Sequence, residues 1–305
     1  MLEFIYNFLT ISHDRSVLMQ KTTLGKTGFN ISKIIYGGIV SMQDGQDASD
    51  KYVDYAIEKG INYFDVAPSY GDAEEKLGHS LKPYRKNIHL ACKTMERFAE
   101  PAKYEIEKSL KLLHTDYFDV FQMHSLASVQ DVEDAFSSNG VFNVMLNLKE
   151  QGVFKNLGIT CHSEEAALRA LSLYDFDTVL FPTNWSLHLG KDWGKQLSAT
   201  CKAKNIGFLG MKSMIHRAWL DDAEKATSRF PKSWCKPIFE NDALLIAAMK
   251  YAFQEIRANV LVPPGNIESF TFAVEHIDQL VQPLTTKELG LLQTELKMID
   301  GRFFF

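Results

Sequence analysis

Four side chains that can move protons stand at the ends of apolar runs in the first half of the chain. Asp65 ends one run and Tyr70 lies in the turn that follows it, while Lys93 and His124 end the next two runs. Runs of this length and apolar character are typical of buried parallel strands. The carboxyl ends of such strands meet on one side of a barrel, so we expect the four side chains to share one site.

The four groups suit one kind of chemistry. A tyrosine hydroxyl titrates near ~10 in water and is a weak acid at neutral pH. An ammonium group such as that of Lys93 favours the phenolate of Tyr70, and an acid such as Asp65 keeps that ammonium charged. An imidazole across the site, from His124, can hydrogen-bond a carbonyl oxygen. Together they suit proton donation to a carbonyl group that receives a hydride.

This arrangement resembles the signature of the aldo-keto reductases. In that family an Asn-Tyr-Phe-Asp run, a Ser-Tyr-Gly turn, and a Lys and a His at the next strand ends carry catalysis. The same residue types stand here at positions 62–65, 69–71, 93 and 124. The resemblance extends from about Thr23 to about Glu295. It implies an NAD(P)H-dependent oxidoreductase that reduces an aldehyde or ketone, with Asp65, Tyr70, Lys93 and His124 as the catalytic residues.

The four residue types also occur in purely structural roles, such as a rim tyrosine, a solvated lysine or a buried core histidine. Lys93 further suits a Schiff-base lyase on the same barrel. That alternative leaves Asp65 and Tyr70 less well explained, and it predicts an imine that borohydride traps. A third alternative is a catalytically idle protein of the same fold that binds a cofactor as a sensor or subunit.

Eight apolar runs alternate with helical segments along the chain. The runs span residues 33–37, 61–66, 87–93, 117–124, 156–160, 178–184, 207–212 and 259–262. This alternation predicts an α/β protein with a (β/α)8 TIM barrel. Residues 22–33 read as a β-hairpin, which in the related family closes the bottom of the barrel. We expect a single domain over residues 19–305, preceded at 1–18 by an N-terminal extension that is either disordered or an appended helix.

The composition of the chain limits the kinds of binding partner that we expect. Of the 305 residues, 46% are hydrophobic and 23% are charged, and the net charge of -5 with no basic stripe argues against nucleic acid. No apolar run is long enough to span a membrane. The four cysteines are scattered without a C-x-x-C pair, so no metal site is predicted and a reducing cytoplasm is favoured. The oligomeric state stays open, and the expected partner is a small carbonyl substrate that the sequence does not identify.

The cofactor is predicted from the resemblance. No G-x-G-x-x-G follows a strand, so a Rossmann site is not supported. In the related family a nicotinamide cofactor lies across the barrel mouth, and NADPH is the usual choice. NADH is also plausible, because residues 262–272 contain no basic residue and Glu268 would repel a phosphate. The positions that match cofactor contacts are Thr160, Cys161 and Asn184 for the carboxamide, Met211 for the ring, and Lys212, Pro264, Gly265, Asn266 and Ser269 for the phosphates.

One connection is unusually long. Residues 213–240 join the seventh apolar run to the following helix and contain Trp219 and Trp234. Long loops in compact domains are often lids or binding loops. A surface insertion packed by its own aromatic residues is the alternative.

Overall fold

An antiparallel hairpin begins the described part of the chain, which in this computed structural model comprises residues 19–299 and 301–304. Strand β1 (Lys21–Thr23) pairs with β2 (Asn30–Ser32). Leu24 and Ile31 are fully buried and pack with inward-facing side chains of the barrel strands. A Cβ on Gly207 would lie 2.6 Å from Leu24 Cγ, so this position must stay small. The hairpin therefore closes one end of the barrel, as the resemblance implies.

Eight parallel strands form the barrel. They are β3 (Tyr36–Gly37), β4 (Tyr63–Asp65), β5 (His89–Thr94), β6 (Phe118–Leu126), β7 (Phe154–Cys161), β8 (Thr178–Pro182), β9 (Gly207–Met211) and β12 (Val260–Val262). Neighbours in the chain are neighbours in the sheet, and β12 pairs with β9. A parallel bridge between Ile34 and Leu261 joins the two ends, supported by a 3.0 Å bond from Ile35 N to Leu261 O. The prediction of a (β/α)8 barrel is confirmed.

Helices cover the outside of the strands. They are α1 (Gln46–Glu58), α2 (Ala73–Leu81), α3 (Ala99–Leu112), α4 (Val129–Phe136), α5 (Val141–Glu150), α6 (Glu164–Leu173), α7 (Trp185–Lys191), α8 (Lys195–Ala203), α9 (Asp222–Thr227), α10 (Asp242–Gln254), α11 (Ile267–Glu275), α12 (Ile277–Leu280) and α13 (Thr286–Ile299). Short strands β10 (Ile215–Arg217) and β11 (Lys236–Pro237) pair within the long connection. None of these helices has both the length and the apolar character needed to cross a membrane.

Successive strand residues alternate between two packing layers. In β6, Val120 belongs to the cluster inside the barrel, whereas Phe121 and Met123 belong to the cluster between strands and helices. Side chains along a strand point alternately to opposite faces. Gln122 and His124 therefore point into the barrel, although both are polar. This alternation is what brings polar groups from several strands to one place.

The structure differs from the sequence-based expectation in a few elements. Each predicted apolar run overlaps one barrel strand, but helices α4, α7, α9, α12 and α13 are additional to the helical segments expected from the sequence. Helix α7 begins directly after the sixth run because Asn184 caps it, accepting bonds from Ser186 N and Leu187 N. The predicted extension at residues 1–18 lies outside the described residues.

Candidate active site

An ion pair lies at the centre of the barrel mouth. Lys93 Nζ donates to Asp65 Oδ1 and, at 3.1 Å, to the carbonyl oxygen of Val66. Both charged side chains are almost completely buried. Burial opposes the charge on Lys93, but Asp65 and the Tyr70 hydroxyl outweigh it and hold the pKa of the ammonium above its usual value. The Lys93 ammonium therefore stays charged at neutral pH.

Tyr70 packs directly on this pair. A backbone bond from Tyr70 N to Ala67 O closes the turn after β4 and places the ring. The Lys93 ammonium lies 5.0 Å from the centroid of the ring. Burial raises the pKa of Tyr70 above its usual value, while Lys93 lowers it in part. Tyr70 therefore keeps its proton at neutral pH, which is the state a proton donor needs.

A bulge in β6 positions His124. The pairing of β6 with β7 shifts register after Met123, and Ser125 has a left-handed φ of 55°. Such bulges often redirect a side chain next to an active site. The His124 ring lies 5.8 Å from that of Tyr70, nearly perpendicular to it. Burial, reinforced by the charge of Lys93, lowers the pKa of His124 to about 2, so the ring is neutral.

Gln122 completes the group, and it is a residue that sequence reasoning missed. Its Nε2 donates to Asp65 Oδ2 at 3.2 Å, so the two oxygens of Asp65 have different partners. The side chain of Gln122 is fully buried. The sequence does contain a signal, because Gln122 interrupts an apolar strand two residues before His124, and residues two apart share a face.

A cavity opens beside Tyr70 and Asp65. It contains about 670 Å³ of empty space, part of which is open to solvent. Its remaining walls come from β3, β8, β9, the long connection and the segment after β12. They are Gly37, Ile39, Leu180, Met211, Lys212, Ile215, Lys232, Ser233, Trp234, Cys235, Val262, Pro263, Pro264 and Gly265.

The long connection passes over this cavity. Trp234 lies 6.0 Å from the Tyr70 ring and is 56% exposed, so it flanks the tyrosine at the surface. Lys232 Nζ reaches the segment that follows β3, where it donates to the carbonyl oxygens of Val40 (3.3 Å) and Met42 (3.0 Å) and pairs with Asp44 (2.7 Å). Residues 213–240 thus cover part of the site. We name the three contacts of Lys232 with Val40, Met42 and Asp44 the Lys232 latch.

Four of the nine predicted cofactor residues line the cavity, namely Met211, Lys212, Pro264 and Gly265. Lys212 has a left-handed φ of 63°, which is strained for a side chain of this kind. Its Nζ lies 3.5 Å from His162 Nδ1. A Cβ on Gly265 would lie 2.1 Å from the Ile39 side chain, so the cavity wall requires glycine there.

The three residues predicted to hold the carboxamide do not line the cavity. Asn184 is fully buried, and its Nδ2 donates to Lys212 O (3.1 Å) and Ile215 O (2.7 Å) while its Oδ1 caps α7. Thr160 Oγ1 accepts a 2.7 Å bond from Ser125 N and so supports the bulge. Cys161 packs between the strands and the helices, facing away from the cavity. The carboxamide contacts stay predictions: both ends of the Asn184 amide bond to local groups and Cys161 faces the helices, whereas the Thr160 hydroxyl accepts a bond and still has a proton to donate.

The last two predicted residues lie at the start of α11. Asn266 Oδ1 caps the helix through Ser269 N at 2.7 Å, and both residues are buried. Asn266 Nδ2 has no hydrogen-bond partner among the residues that the structure describes. A helix N-terminus with a spare amide donor is suited to an anion.

Comparisons with known proteins agree with this geometry. Residues 33–257 match the sequence profile of the aldo/keto reductase family. The chain is 30% identical to the aldo-keto reductase YhdN of Bacillus subtilis over 166 residues, 48% of each protein. It is also 30% identical to the uncharacterized oxidoreductase YqkF of that organism over 156 residues, 47% of the chain and 49% of the relative. These matches span about half the length of the curated relatives.

Solved structures extend the likeness to nearly the whole fold. An aldo-keto reductase from Bacillus halodurans in its holo form superposes with a TM-score of 0.67 at 20% identity, covering 91% of this chain and 96% of that one. A structure described as a putative aldo-keto reductase from Pseudomonas aeruginosa gives a TM-score of 0.70 at 20% identity, covering 90% and 100%. With a profile match over most of its length, this chain belongs to the aldo/keto reductase family.

Proposed function

We propose that this protein reduces the carbonyl group of a small aldehyde or ketone to an alcohol, with a hydride from a nicotinamide cofactor and a proton from Tyr70. The observation that carries the proposal is the buried contact of three groups: a protonated Tyr70, the Lys93 ammonium beneath its ring and the Asp65 carboxylate behind that ammonium. Tyr70 also lines the cavity, so a bound carbonyl can reach it.

The chain's own residues account for the proton. As negative charge develops on the carbonyl oxygen, Tyr70 donates its proton, and the adjacent Lys93 ammonium stabilises the phenolate that remains. Asp65 keeps Lys93 charged and in place. His124 is neutral and can donate one hydrogen bond to the same oxygen, which orients the carbonyl.

The cavity suits a nicotinamide cofactor in two of three respects. Leu180 and Met211 offer an apolar surface to a ring, and a thioether packs well against aromatic faces. Lys212 and the N-terminus of α11 offer positive potential to phosphates. The carboxamide finds less support, because Asn184 already uses both ends of its amide. When bound, the cofactor supplies the hydride and the residues above hold it.

The geometry favours this function over a Schiff-base lyase. An amine must lose its proton before it attacks a carbonyl. The pKa of Lys93 is raised, mainly by Asp65 acting against burial, so the neutral amine is rare. Lys93 is also fully buried and lies behind Tyr70, and it is not among the residues that line the cavity.

The test is oxidation of reduced cofactor by a panel of aldehydes, ketones and sugars, with NADPH and NADH run in parallel. We expect turnover of at least one carbonyl class with consumption of cofactor and formation of alcohol in equal amounts. Cofactor binding without any turnover would support the idle alternative. An imine trapped at Lys93 by borohydride would support the lyase.

A further inference from the structure

Gln122 occupies a position that is costly for an amide. Its side chain is fully buried inside the barrel, and its Oε1 has no hydrogen-bond partner among the described residues. Buried polar groups are almost always hydrogen-bonded, because an unpaired one loses its contacts with water without replacement. An apolar side chain would avoid this cost. The hydrogen bond that the amide does make is the one from its Nε2 to Asp65 Oδ2.

The neighbouring strands make room for this amide. Gln122 is in register with Lys93 on one side and with Gly158 on the other. A Cβ on Gly158 would lie 3.2 Å from Gln122 Cγ and 2.1 Å from Thr178 Oγ1. Since a side chain at Gly158 would collide with this layer, the barrel keeps a space in which Gln122 reaches across to Asp65.

The contact fixes a carboxylate that otherwise has freedom to turn. Asp65 presents one oxygen to Lys93 and the other to Gln122. Because both oxygens are held, the plane of the Asp65 carboxylate is fixed. The position of the Lys93 ammonium that pairs with it is therefore fixed as well. The ammonium in turn lies under the ring of Tyr70.

We propose that Gln122 is a positioning residue of this site: its amide holds Asp65 in the orientation that keeps the Lys93 ammonium beneath Tyr70. The inference rests on the proposed carbonyl reduction and adds to it a residue that acts through Asp65. Gln122 is not among the residues that line the cavity. Its loss should therefore lower kcat and leave KM and cofactor binding nearly unchanged.

Two substitutions test the role. Gln122→Met keeps the length and removes the donor, and we expect kcat to fall by about ten- to a hundredfold, as for other displaced catalytic groups. Gln122→Glu should behave differently with pH. Its protonated carboxyl can donate to Asp65 as the amide does, but two adjacent carboxylates repel each other once both are ionised. The Glu variant should thus approach parent kcat at low pH and lose it as pH rises.

Thr178→Val is the matched control. Thr178 lies in the same layer, and its Oγ1 also has no partner among the described residues, so it makes no hydrogen bond to the four catalytic groups. We expect its kcat and pH profile to match those of the parent. If Gln122→Met and Gln122→Glu share the parent's kcat and pH profile, Gln122 does not position the site. If they lose activity equally at all pH values, its role is packing alone, and the proposal is overturned.

A stability measurement separates this inference from the proposed function. In folded Gln122→Glu the two carboxyls share a proton, so the folded state binds more protons than the unfolded state. Its stability relative to the parent should then fall as pH rises above the usual range of a glutamate. If Gln122→Glu shows this fall while the parent protein reduces no carbonyl, the contact between residue 122 and Asp65 is supported and the proposed function is rejected. Parallel stability curves for the two proteins would overturn the contact itself.

Discussion

The two halves of the barrel mouth are built differently. On the side of β4 to β6, the side chains of Asp65, Lys93 and Gln122 point inward and bond to one another. On the side of β7 and β8, two polar side chains bond to nearby backbone: Thr160 supports the β6 bulge and Asn184 caps α7. The first half is a connected polar group with proposed catalytic roles, whereas the second presents mainly apolar walls to the cavity.

The difference shows what determines each half. In the first, the alternation of strand residues and the shared end of parallel strands place the groups, and both follow from sequence spacing. In the second half, the geometry of the loops and helix caps determines which backbone groups a polar side chain bonds to. Asparagine and threonine readily bond to adjacent backbone, so their presence near a strand end does not show that they face a ligand.

The largest expected effect tests the catalytic half. Tyr70→Phe removes one oxygen and keeps the ring, so its packing against His124 should survive. General acid catalysis typically contributes about 10²–10⁴-fold in rate, and we expect kcat to fall by that order. The dissociation constant of the cofactor should barely change. Steady-state kinetics and cofactor titration by fluorescence measure the two quantities.

Tyr104→Phe is the control for this substitution. Tyr104 is 73% exposed on α3, away from the cavity, and the same loss of oxygen there should leave kcat unchanged. A folded Tyr70→Phe protein that reduces carbonyls at the parent rate would remove Tyr70 as the donor. The proton would then come from His124 or from water, and the two halves would no longer differ in the way described.

The sequence predicts the fold, and the meeting of Asp65, Tyr70, Lys93 and His124 at one place, for physical reasons. Eight apolar runs separated by helical segments leave few architectures other than a closed barrel. Asp65, Lys93 and His124 each end such a run, and the alternation of side chains then requires them to point inward. Strand geometry therefore places these three residues on one face, while the turn that holds Tyr70 and the bulge beside His124 set their final positions.

The rest depends on contacts between distant segments. Lys232 and Val40 are far apart in sequence, and no local pattern indicates that they meet. The β6 bulge at Ser125 depends on Thr160 of the next strand. The prediction that Cys161 contacts the cofactor does not fit its place in the strand alternation, which makes it face the helices. Strand periodicity is enough to find Gln122, because it lies on the same face as His124.

A smaller effect tests the side of the mouth formed by β9, β12 and the segment between β12 and α11, which we name the cofactor half. The segment 262–272 carries no basic residue and Arg217 is held by Glu224, so within this segment a phosphate would meet the backbone amides at the start of α11. We therefore expect the dissociation constants of NADPH and NADH to differ by less than about a hundredfold, or roughly 2.7 kcal/mol. Parallel titrations measure the ratio.

Arg229 sharpens this prediction. Its guanidinium lies 3.7 Å from Glu268, at the start of α11, and both side chains are well exposed. If NADPH is preferred by much more than a hundredfold, Arg229→Ala should abolish most of that preference. A strong preference that survives in Arg229→Ala would show that the cofactor half contains a phosphate site that this geometry does not reveal.

The smallest effect concerns the Lys232 latch, which joins the long connection to the segment after β3. Lys232→Met removes the charge-assisted bonds to Val40, Met42 and Asp44 but keeps the length of the side chain. Partly exposed ion pairs contribute little, commonly up to ~1 kcal/mol, so cofactor should dissociate only about two- to fivefold faster. Lys26→Met, which breaks an ion pair with Asp175 in the hairpin at the other end of the barrel, should leave the rate unchanged. Stopped-flow fluorescence of Trp234 follows the release. An unchanged rate in Lys232→Met would mean that the connection does not restrain the cofactor, and that it is packed as a fixed wall of the cavity.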